Sequence, residues 1–405
     1  MWYNGSMETK KSKTYRIGID ARFYGPLGKG LGRYTQEIVD QVTSLDTENE
    51  YVIFLSKNNF DEFNPSSNRI TKVLADIPWY GLAEQLQMPR IISKQNLDLI
   101  HFPHFNAPVF SRVPFVVTIH DLILTKFPTI RATTLGPIIY FLKNIAYQLV
   151  INIAAMRSKR VIAVSEYTKT DIIEQFGIMP EKVCVIYEGV ASLDQSVDSR
   201  FASKLKADEV LLNSCILGPY LLYVGNAYPH KNLETLIKVF LKLHVKYPLL
   251  KLVLVGREDY FYHRLKLFAQ EAGDNNQSII FPGYVPDKDL QTLYEKASLY
   301  VFPSEYEGFG LPPLEAMSRG CAVVSSTATC LPEVLGDAAC YFDPRSEDSM
   351  SQAIESVLSN QTYKEQLIIK GRERIKLYSW VKAGQETLKV YQQALTKEAI
   401  IPSDV

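Results

Sequence analysis

The sequence has no excess of charge of either sign. Its 405 residues include 44 Lys and Arg against 44 Asp and Glu, which gives a formal net charge of +0 at pH 7. A protein that binds nucleic acid over much of its surface is usually basic. The balance of charge therefore argues against nucleic acid as a partner.

Cysteine is scarce, and its spacing excludes a disulfide framework or a zinc site. The chain has five cysteines, with no C-x-x-C pair among them and no neighbouring histidines. Most lie in apolar runs, where we expect buried thiols in a reducing compartment. We therefore expect a cytoplasmic protein. The cysteines are Cys184, Cys215, Cys321, Cys330 and Cys340.

The N-terminus lacks an apolar segment of signal-peptide length. Residues 1–13 include the string Gly5-Ser-Met7, which resembles the remnant of an expression tag, so they are set aside from the fold prediction.

A long apolar run without polar interruption is also missing. The stretch from Leu135 to Met156 is apolar but is interrupted at helical spacing, which predicts an amphipathic helix packed on a sheet rather than a spanning helix. Basic residues follow it, so a peripheral contact with the inner face of the membrane stays open. The interrupting residues are Lys143, Asn144, Gln148 and Asn152.

The remaining composition is that of a globular protein with 46% apolar and 22% charged residues. A chain of 405 residues is long for a single core, which favours two domains. Short β-rich runs alternate with helical patterns in both halves, and this alternation predicts two α/β domains with parallel sheets covered on both faces. Residues 191–207 show no clear periodicity, and the predicted linker lies there or shortly after, ending before Pro219.

The most informative stretch is Glu307-Gly-Phe-Gly-Leu-Pro-Pro-Leu-Glu315, which follows a short apolar run and precedes a helical pattern. Proline in the first turn predicts a helix that begins near Leu311 or Pro312. Gly308 and Gly310 let a ligand approach the main chain, and the helix start offers free N–H groups to a phosphate. The two glutamates can accept hydrogen bonds from hydroxyls at the two ends of that ligand. A nucleotide sugar has this order of groups.

Other polar residues stand where predicted strands end, the usual place for ligand binding in parallel sheets. His120 follows the run Phe115–Ile119, and His101 and His104 flank another strand end. A lone histidine is more often structural than functional, and for His101 and His104 both interpretations stay open. Lys231 lies in a polar loop after the strand that begins the second half, where it can bind phosphate as a point charge.

The string E-G-F-G-L-P-P-L-E closely resembles the E-x7-E signature of retaining GT-B glycosyltransferases, a family that includes many bacterial mannosyltransferases. The resemblance implies that Glu307 contacts the transferred sugar and that Glu315 contacts the ribose of the nucleotide. It places Gly308, Phe309, Gly310 and Leu311 in the donor-binding turn.

Three further strings carry the same resemblance. T-I-H-D places His120 beside the transferred sugar, as a ligand of a sugar hydroxyl or a stabiliser of charge at the anomeric centre. Gly30, Gly32 and Arg33 match an N-terminal glycine loop that is usually written G-G-x-G-R, with Lys29 in place of the first glycine. In the second half, Lys231 matches the lysine that holds the pyrophosphate, and Asn226 stands where an arginine is common. Tyr284 and Val285 would face the nucleotide base.

The resemblance implies a GT-B fold, in which two Rossmann-like domains face a central cleft. We expect an acceptor domain at 14–205, a donor-nucleotide domain at 216–378 and a helix at 379–396 that crosses back to the first domain. The expected activity is metal-independent transfer of a hexose to a glycan or a lipid-linked acceptor in polysaccharide biosynthesis, with the nucleotide sugar as co-substrate and no cofactor. How retention is achieved stays open, because no residue is an evident nucleophile.

GDP-mannose is the first expectation for the donor, and UDP-glucose, UDP-GlcNAc and ADP-glucose remain alternatives. A sugar-nucleotide epimerase of similar fold is a further alternative, but such enzymes lack E-x7-E. A donor-binding subunit without catalytic activity would keep the phosphate loop and lose the acceptor side. The departures at Lys29 and Asn226 are the sequence features that favour such a subunit.

Overall fold

The structure is a computed structural model that describes residues 13–25, 29–127, 137–190, 209–211, 216–274 and 277–396. Within the described residues, the first half forms a parallel sheet of seven strands in the order β3-β2-β1-β4-β5-β6-β7. The strands are β1 (Arg16–Asp20), β2 (Glu50–Leu55), β3 (Ile70–Leu74), β4 (Leu99–Phe102), β5 (Phe115–Ile119), β6 (Arg160–Ala163) and β7 (Val183–Val185). The helices are α1 (Lys29–Leu45), α2 (Leu82–Ser93), α3 (Ile123–Lys126), α4 (Pro137–Arg157) and α5 (Glu166–Phe176).

The second half repeats this architecture with six parallel strands, in the order β10-β9-β8-β11-β12-β13 for the part that the structure describes. The strands are β8 (Tyr220–Val224), β9 (Lys251–Val255), β10 (Ile279–Gly283), β11 (Leu299–Phe302), β12 (Val323–Ser326) and β13 (Ala339–Phe342). The helices are α6 (Leu233–Lys246), α7 (Tyr260–Glu271), α8 (Asp287–Lys296), α9 (Leu311–Ser318), α10 (Leu331–Leu335), α11 (Glu347–Leu358), α12 (Gln361–Arg374) and α13 (Trp380–Leu395).

Both sheets are covered on both faces, as the apolar runs predict. Ile53 and Phe54 in β2 and Leu221 and Leu222 in β8 are all 0% exposed, although neighbouring residues in a strand point to opposite faces. Each such side chain contributes about 1.5–3 kcal/mol by leaving water. The prediction of two Rossmann-like domains is confirmed.

The strand orders position the cleft. The order reverses between β1 and β4 in the first sheet and between β8 and β11 in the second, and ligands of such sheets bind beyond the carboxyl ends of the strands at this switch point. The predicted glycine loop follows β1, the loop with Lys231 follows β8, and the turn with Glu307 follows β11. The chain therefore brings its phosphate-binding candidates to one region.

The C-terminal helix returns to the first domain, as predicted. Helix α13 packs along α1 and also contacts β4 and β5. Gly384 permits this close packing, because a Cβ atom there would lie 2.6 Å from Cβ of Gln41. His101 bonds through Nδ1 to the hydroxyl of Tyr391 at 2.8 Å and through Nε2 to Oγ1 of Thr118 at 2.9 Å. His101 is thus a structural residue that ties α13 to the sheet, and burial together with the charge of His120 lowers its pKa to about 3.

Helix capping agrees with the sequence at one position and differs at another. A serine before a helical pattern predicts an N-cap, and Ser165 caps α5 accordingly, since its Oγ accepts a hydrogen bond from the backbone N–H of Thr168 at 3.1 Å. The position of Asn232 before a helical pattern likewise predicts that it caps α6, but this prediction is wrong for its side chain, which instead donates to the carbonyl of Pro344 at 2.8 Å. Asn232 adopts a left-handed conformation with φ 58°, and this conformation directs its amide away from the helix. Most of the predicted linker, like Cys215, lies outside the described residues.

Helix α4 is only partly packed on the first sheet. Its C-terminal half buries Ile151, Ala154 and Ala155 in the core, as an amphipathic helix would. By length and composition the segment Ile139–Arg157 could cross a membrane. Only 17% of its most apolar window is buried within the protein. Among the side chains of α4 that the structure describes, six large apolar ones are exposed: Ile139, Phe141, Leu142, Ile145, Leu149 and Met156.

Candidate donor and catalytic site

The turn before α9 requires its glycines. Helix α9 begins at Leu311, as predicted, and Gly310 precedes it with φ 94°, a conformation that residues with a Cβ atom rarely adopt. At Gly308 a Cβ atom would lie 1.9 Å from the carbonyl oxygen of His120. The carbonyl of Gly308 accepts hydrogen bonds from Ser165 Oγ at 2.7 Å and Thr168 Oγ1 at 3.1 Å. The turn is thus held directly against the first domain.

Glu307 forms an ion pair with Lys231. The Lys231 Nζ atom lies 2.5 Å from Oε1 of Glu307, and the two side chains are 12% and 10% exposed. The sequence predicted Lys231 as a phosphate ligand and Glu307 as a sugar ligand. Because the two side chains are in contact, the bond between the anomeric carbon and the phosphate of a nucleotide sugar would lie beside this pair.

Glu315 meets a cation from the opposite domain. Arg33, four residues into α1, donates from Nη1 to Oε1 of Glu315 at 2.5 Å and from Nη2 to Oδ2 of Asp287 at 2.6 Å. The hydroxyl of Tyr294 also donates to Glu315, at 3.2 Å. The predicted ribose ligand and the predicted glycine loop are therefore in direct contact across the cleft.

His120 has hydrogen-bond partners at both ring nitrogens. Nε2 lies 2.9 Å from the carbonyl oxygen of Pro103, and Nδ1 lies 3.1 Å from Oε1 of Glu188. A carbonyl and a carboxylate both accept, so the ring satisfies both only as the doubly protonated imidazolium. Burial opposes this charge, but the hydrogen bond and the negative charge of Glu188 raise the pKa of His120 above its ordinary value.

The partner of His120 is Glu188, which sequence reasoning missed, and not the carboxylate that comes next in the chain, Asp121. Asp121 instead accepts from the backbone N–H of Ile123 at 2.9 Å. Glu188 follows β7 at the carboxyl edge of the sheet, so its place after a strand was the signal that could have revealed it. Tyr34 completes the surroundings, with its ring edge-on to His120 at 4.5 Å.

The remaining predicted residues lie around these pairs. Gly32 is enclosed, since a Cβ atom there would lie 2.1 Å from the carbonyl oxygen of Gly25, whereas a Cβ atom at Gly30 would meet none of the described residues within 4 Å. Asn226 accepts a hydrogen bond at its carbonyl from the Tyr223 hydroxyl at 2.8 Å.

At the end of β10, Tyr284 is 70% exposed and Val285 is buried. Phe309 is buried against the rings of Tyr187 and Tyr378. Its side chain therefore anchors the donor-binding turn in the core.

The described residues bring no group of three His, Cys, Asp or Glu side chains together for a metal ion. An Asp-x-Asp string, Asp287-Lys-Asp289, does occur in the chain, at the first turn of α8. Asp287 pairs with Arg33 at 2.6 Å. Metal independence stays a prediction.

Two parallel α/β domains that face each other, with the turn before α9 at the carboxyl edge of the second sheet, are the GT-B arrangement. Comparison with known families agrees: the "Glycosyl transferases group 1" profile matches residues 218–374, and the "Glycosyltransferase Family 4" profile matches residues 28–192. The chain belongs to these glycosyltransferases. The predictions of family, fold and enzyme class are confirmed.

Similar proteins cover nearly the whole chain. The chain is 29% identical over 382 residues to O-antigen chain mannosyltransferase B of Escherichia coli, and the matched region covers 90% of this chain and 96% of that protein. It is 27% identical over 292 residues to O-antigen chain mannosyltransferase RfbU of Salmonella typhimurium, with 72% and 74% covered. Among solved structures, Anabaena HepE in complex with UDP and glucose superposes with a TM-score of 0.70 at 18% identity, with 93% of this chain and 99% of that chain covered.

Proposed function

We propose that the protein transfers a mannosyl group from GDP-mannose to a saccharide acceptor, with retention of anomeric configuration and without a metal ion. The mannosyltransferases to which it is similar support the sugar and a role in polysaccharide biosynthesis. The proposed donor site rests on one observation. Glu307 and Glu315 lie at the two ends of one turn-and-helix segment in the cleft, and each lies beside a cation.

The roles follow from these positions. Lys231 and the free N–H groups at the start of α9 would neutralise the diphosphate as it leaves, which is where the negative charge of the reaction develops. Glu315 would accept hydrogen bonds from the ribose, and Glu307 would accept them from the transferred sugar. The His120 imidazolium would lie beside the sugar as a fixed positive charge. Contact of Gly308 with the first domain would keep water from the reacting bond.

The identity of the donor can be tested by thermal stability. In a panel of GDP-, UDP- and ADP-sugars without divalent metal, we expect GDP-mannose to stabilise the wild type by about 2.7 kcal/mol when its concentration is one hundred times its Kd. Glu315→Ala should abolish most of this shift, because it removes the ribose ligand. Asp289→Ala, which removes a carboxylate of α8 outside these contacts, is the matched control.

If only a UDP- or ADP-sugar stabilises the protein, that nucleotide sugar is the donor instead of GDP-mannose, and the assignment of the donor site stands. If no nucleotide sugar stabilises the protein, with or without metal, the donor site is wrong. A donor-binding subunit without activity would show the shift but release no nucleotide from GDP-mannose in the presence of saccharide acceptors, so turnover separates it from the enzyme.

The charge of His120 predicts a pH dependence. Because the pKa of His120 is raised, the imidazolium is present at low pH and is lost as the pH rises through that pKa. Glu188→Gln removes the negative partner, so the alkaline fall of kcat should move to lower pH, with a loss of about tenfold in kcat at pH 7.5. The pH profile of kcat measures this effect.

The other charged groups near His120 are unchanged in Glu188→Gln, so the shift of the pH profile of kcat reports on Glu188. Asp121 lies next in the chain, and the neutral ring of His104 is 6.1 Å away. The exposed Glu181, on the same segment of chain, provides the control Glu181→Gln. An unchanged alkaline limb in Glu188→Gln would show that the pair does not set the charge of His120.

We infer that the acceptor is presented at the inner face of the membrane, as a glycan or lipid-linked saccharide. The exposed apolar side chains of α4 support this inference, because a row of such residues on one helix is typical of interfacial contact. Arg157 is the last residue of the helix and Lys159 follows it, and both would attract anionic headgroups.

Vesicle binding tests the membrane contact. Phe141 and Leu142 are 63% and 61% exposed, so the double variant Phe141→Asp, Leu142→Asp should lose about tenfold in affinity for vesicles of phosphatidylglycerol and phosphatidylethanolamine while remaining folded. Val245→Asp removes an exposed apolar side chain from the second domain and should bind as the wild type does. Equal cosedimentation of all three proteins would exclude α4 as the contact.

A further inference from the structure

An aromatic surface lies beside the catalytic histidine in the first domain. The loop between β3 and α2 carries Trp79, which is 38% exposed, and Tyr80, which is 60% exposed. Trp79 stacks on Phe23, with ring centroids 4.3 Å apart and an interplanar angle of 11°. This loop follows a strand at the carboxyl edge of the sheet, on the side of the cleft opposite the donor site.

The loop is held in an unfavourable conformation. Tyr80 has φ 59°, in the left-handed region that costs a bulky residue free energy. Its backbone N–H donates to Oε2 of Glu84 at 2.9 Å, and Glu84 is 0% exposed. Arg22 bonds to Glu84 at 2.5 Å and to the carbonyl of Ile77, within the same loop, at 3.2 Å. Buried charges thus hold the backbone of the loop at Ile77 and Tyr80, while the rings of Trp79 and Tyr80 stay exposed.

A chain of ring contacts connects this surface to the reaction centre. The ring of Phe23 lies 5.8 Å from His104, and His104 lies 6.1 Å from His120. The Tyr80 hydroxyl is 2.9 Å from Nε2 of His104. The other ring nitrogen of His104, Nδ1, is buried and has no hydrogen-bond partner among the described residues. Tyr80 therefore lies two ring contacts, and Trp79 three, from the histidine that the donor sugar would approach.

The chemistry of this surface selects a neutral ligand. Burial and the neighbouring charge of His120 lower the pKa of His104, so its ring is neutral and can donate or accept a hydrogen bond. The exposed groups are two aromatic rings and a phenol hydroxyl. Aromatic faces suit the C–H faces of a pyranose ring, and hydroxyl and imidazole groups suit its hydroxyls. A phosphate or a nucleotide would find no cation among these groups.

We propose that Trp79 and Tyr80 form an acceptor subsite, which stacks on the ring of a neutral saccharide and holds it beside His120. The proposal rests on the proposed function, because it takes the second domain as the donor side. The buried ion pairs beneath the strained loop then fix its backbone, so that the exposed rings form a rigid aromatic surface before the acceptor binds.

Binding of neutral saccharides tests the subsite. α-Linked mannotriose and maltotriose are titrated into the GDP-bound protein and followed by isothermal calorimetry and by tryptophan fluorescence. We expect at least one of them to bind, and we expect about tenfold weaker binding in Trp79→Ala and in Tyr80→Asn. Asparagine tolerates the left-handed conformation, so Tyr80→Asn removes the ring without adding strain. Tyr260→Ala, which removes an exposed ring of the second domain, should bind as the wild type does.

The outcomes separate this proposal from the donor assignment. Equal saccharide affinity in wild type, Trp79→Ala and Tyr80→Asn overturns the subsite, as does the absence of any saccharide binding by a wild type that GDP-mannose stabilises. If GDP-mannose gives no stabilisation but the saccharide titration is weakened by both variants, the donor assignment fails and the subsite stands. Thermal unfolding of each variant shows that it is folded.

Discussion

Lys231→Ala should lower kcat/KM for sugar transfer by roughly 10²–10³-fold, the usual loss when a preorganised group that stabilises developing charge is removed. Lys231 is 12% exposed and is paired with Glu307 at 2.5 Å, so its charge acts in a cleft with little water. Without it, the leaving diphosphate would depend on the amides at the start of α9, and Glu307 would remain as an unpaired carboxylate. Steady-state kinetics with the nucleotide sugar measure the loss.

Two further variants make this result specific. Lys231→Arg keeps a positive charge but changes its shape, so we expect it to recover part of the lost activity. Lys238→Ala removes a lysine of α6 that is 51% exposed and should leave kcat/KM unchanged. A loss below tenfold in Lys231→Ala, with the protein folded, would mean that other groups neutralise the diphosphate.

Arg22→Met should destabilise the protein by about 3–5 kcal/mol at pH 7, as expected when one partner of a buried ion pair is removed. The Arg22 side chain is 0% exposed and bonds to Asp20 at 2.7 Å and to Glu84 at 2.5 Å. Methionine is similar in length to the aliphatic part of arginine, so the loss reports on the two carboxylates that are left buried without a cation. Denaturant unfolding measures the change in free energy.

The sign of the pH dependence gives a second test of Arg22. Burial already raises the pKa of Glu84, and in the variant the loss of the Arg22 cation raises it further above the unfolded value, so the charged form of Glu84 destabilises the fold. The destabilisation should therefore shrink as the pH falls from 7 to 5 and Glu84 binds a proton. Arg112→Met, at an exposed arginine, is the control. A destabilisation below about 1 kcal/mol would show that the ion pairs contribute little.

Local patterns in the sequence were sufficient for most of the fold. Alternating apolar runs and helical patterns predicted the two sheets, because a strand buried on both faces must be apolar along its length. The glycines and prolines of the E-x7-E segment predicted the start of α9, because these residues restrict the backbone wherever they stand. The same reasoning failed for the side chain of Asn232, where a left-handed backbone turned the amide away from its helix.

The sequence identified single residues of the candidate site but not the partners with which they form ion pairs and hydrogen bonds. His120, Lys231, Glu307 and Glu315 were recognised from their positions at strand and helix ends, since parallel strands bring such ends to one edge. Their partners came from elsewhere: Glu188 is 68 residues from His120, and Arg33 is 282 residues from Glu315.

The sequence by itself determined the two α/β domains, the turn that can bind phosphate and the residues that carry its chemistry, because these depend on backbone preferences and on burial of neighbouring residues. Only the tertiary structure decided which charges meet, why Gly308 admits no side chain, and that both ring nitrogens of His120 lie within hydrogen-bond distance of an acceptor oxygen. The physical reason is that these features arise where the domains or distant strand ends pack together, and no local pattern encodes the distance between residues so far apart in the chain.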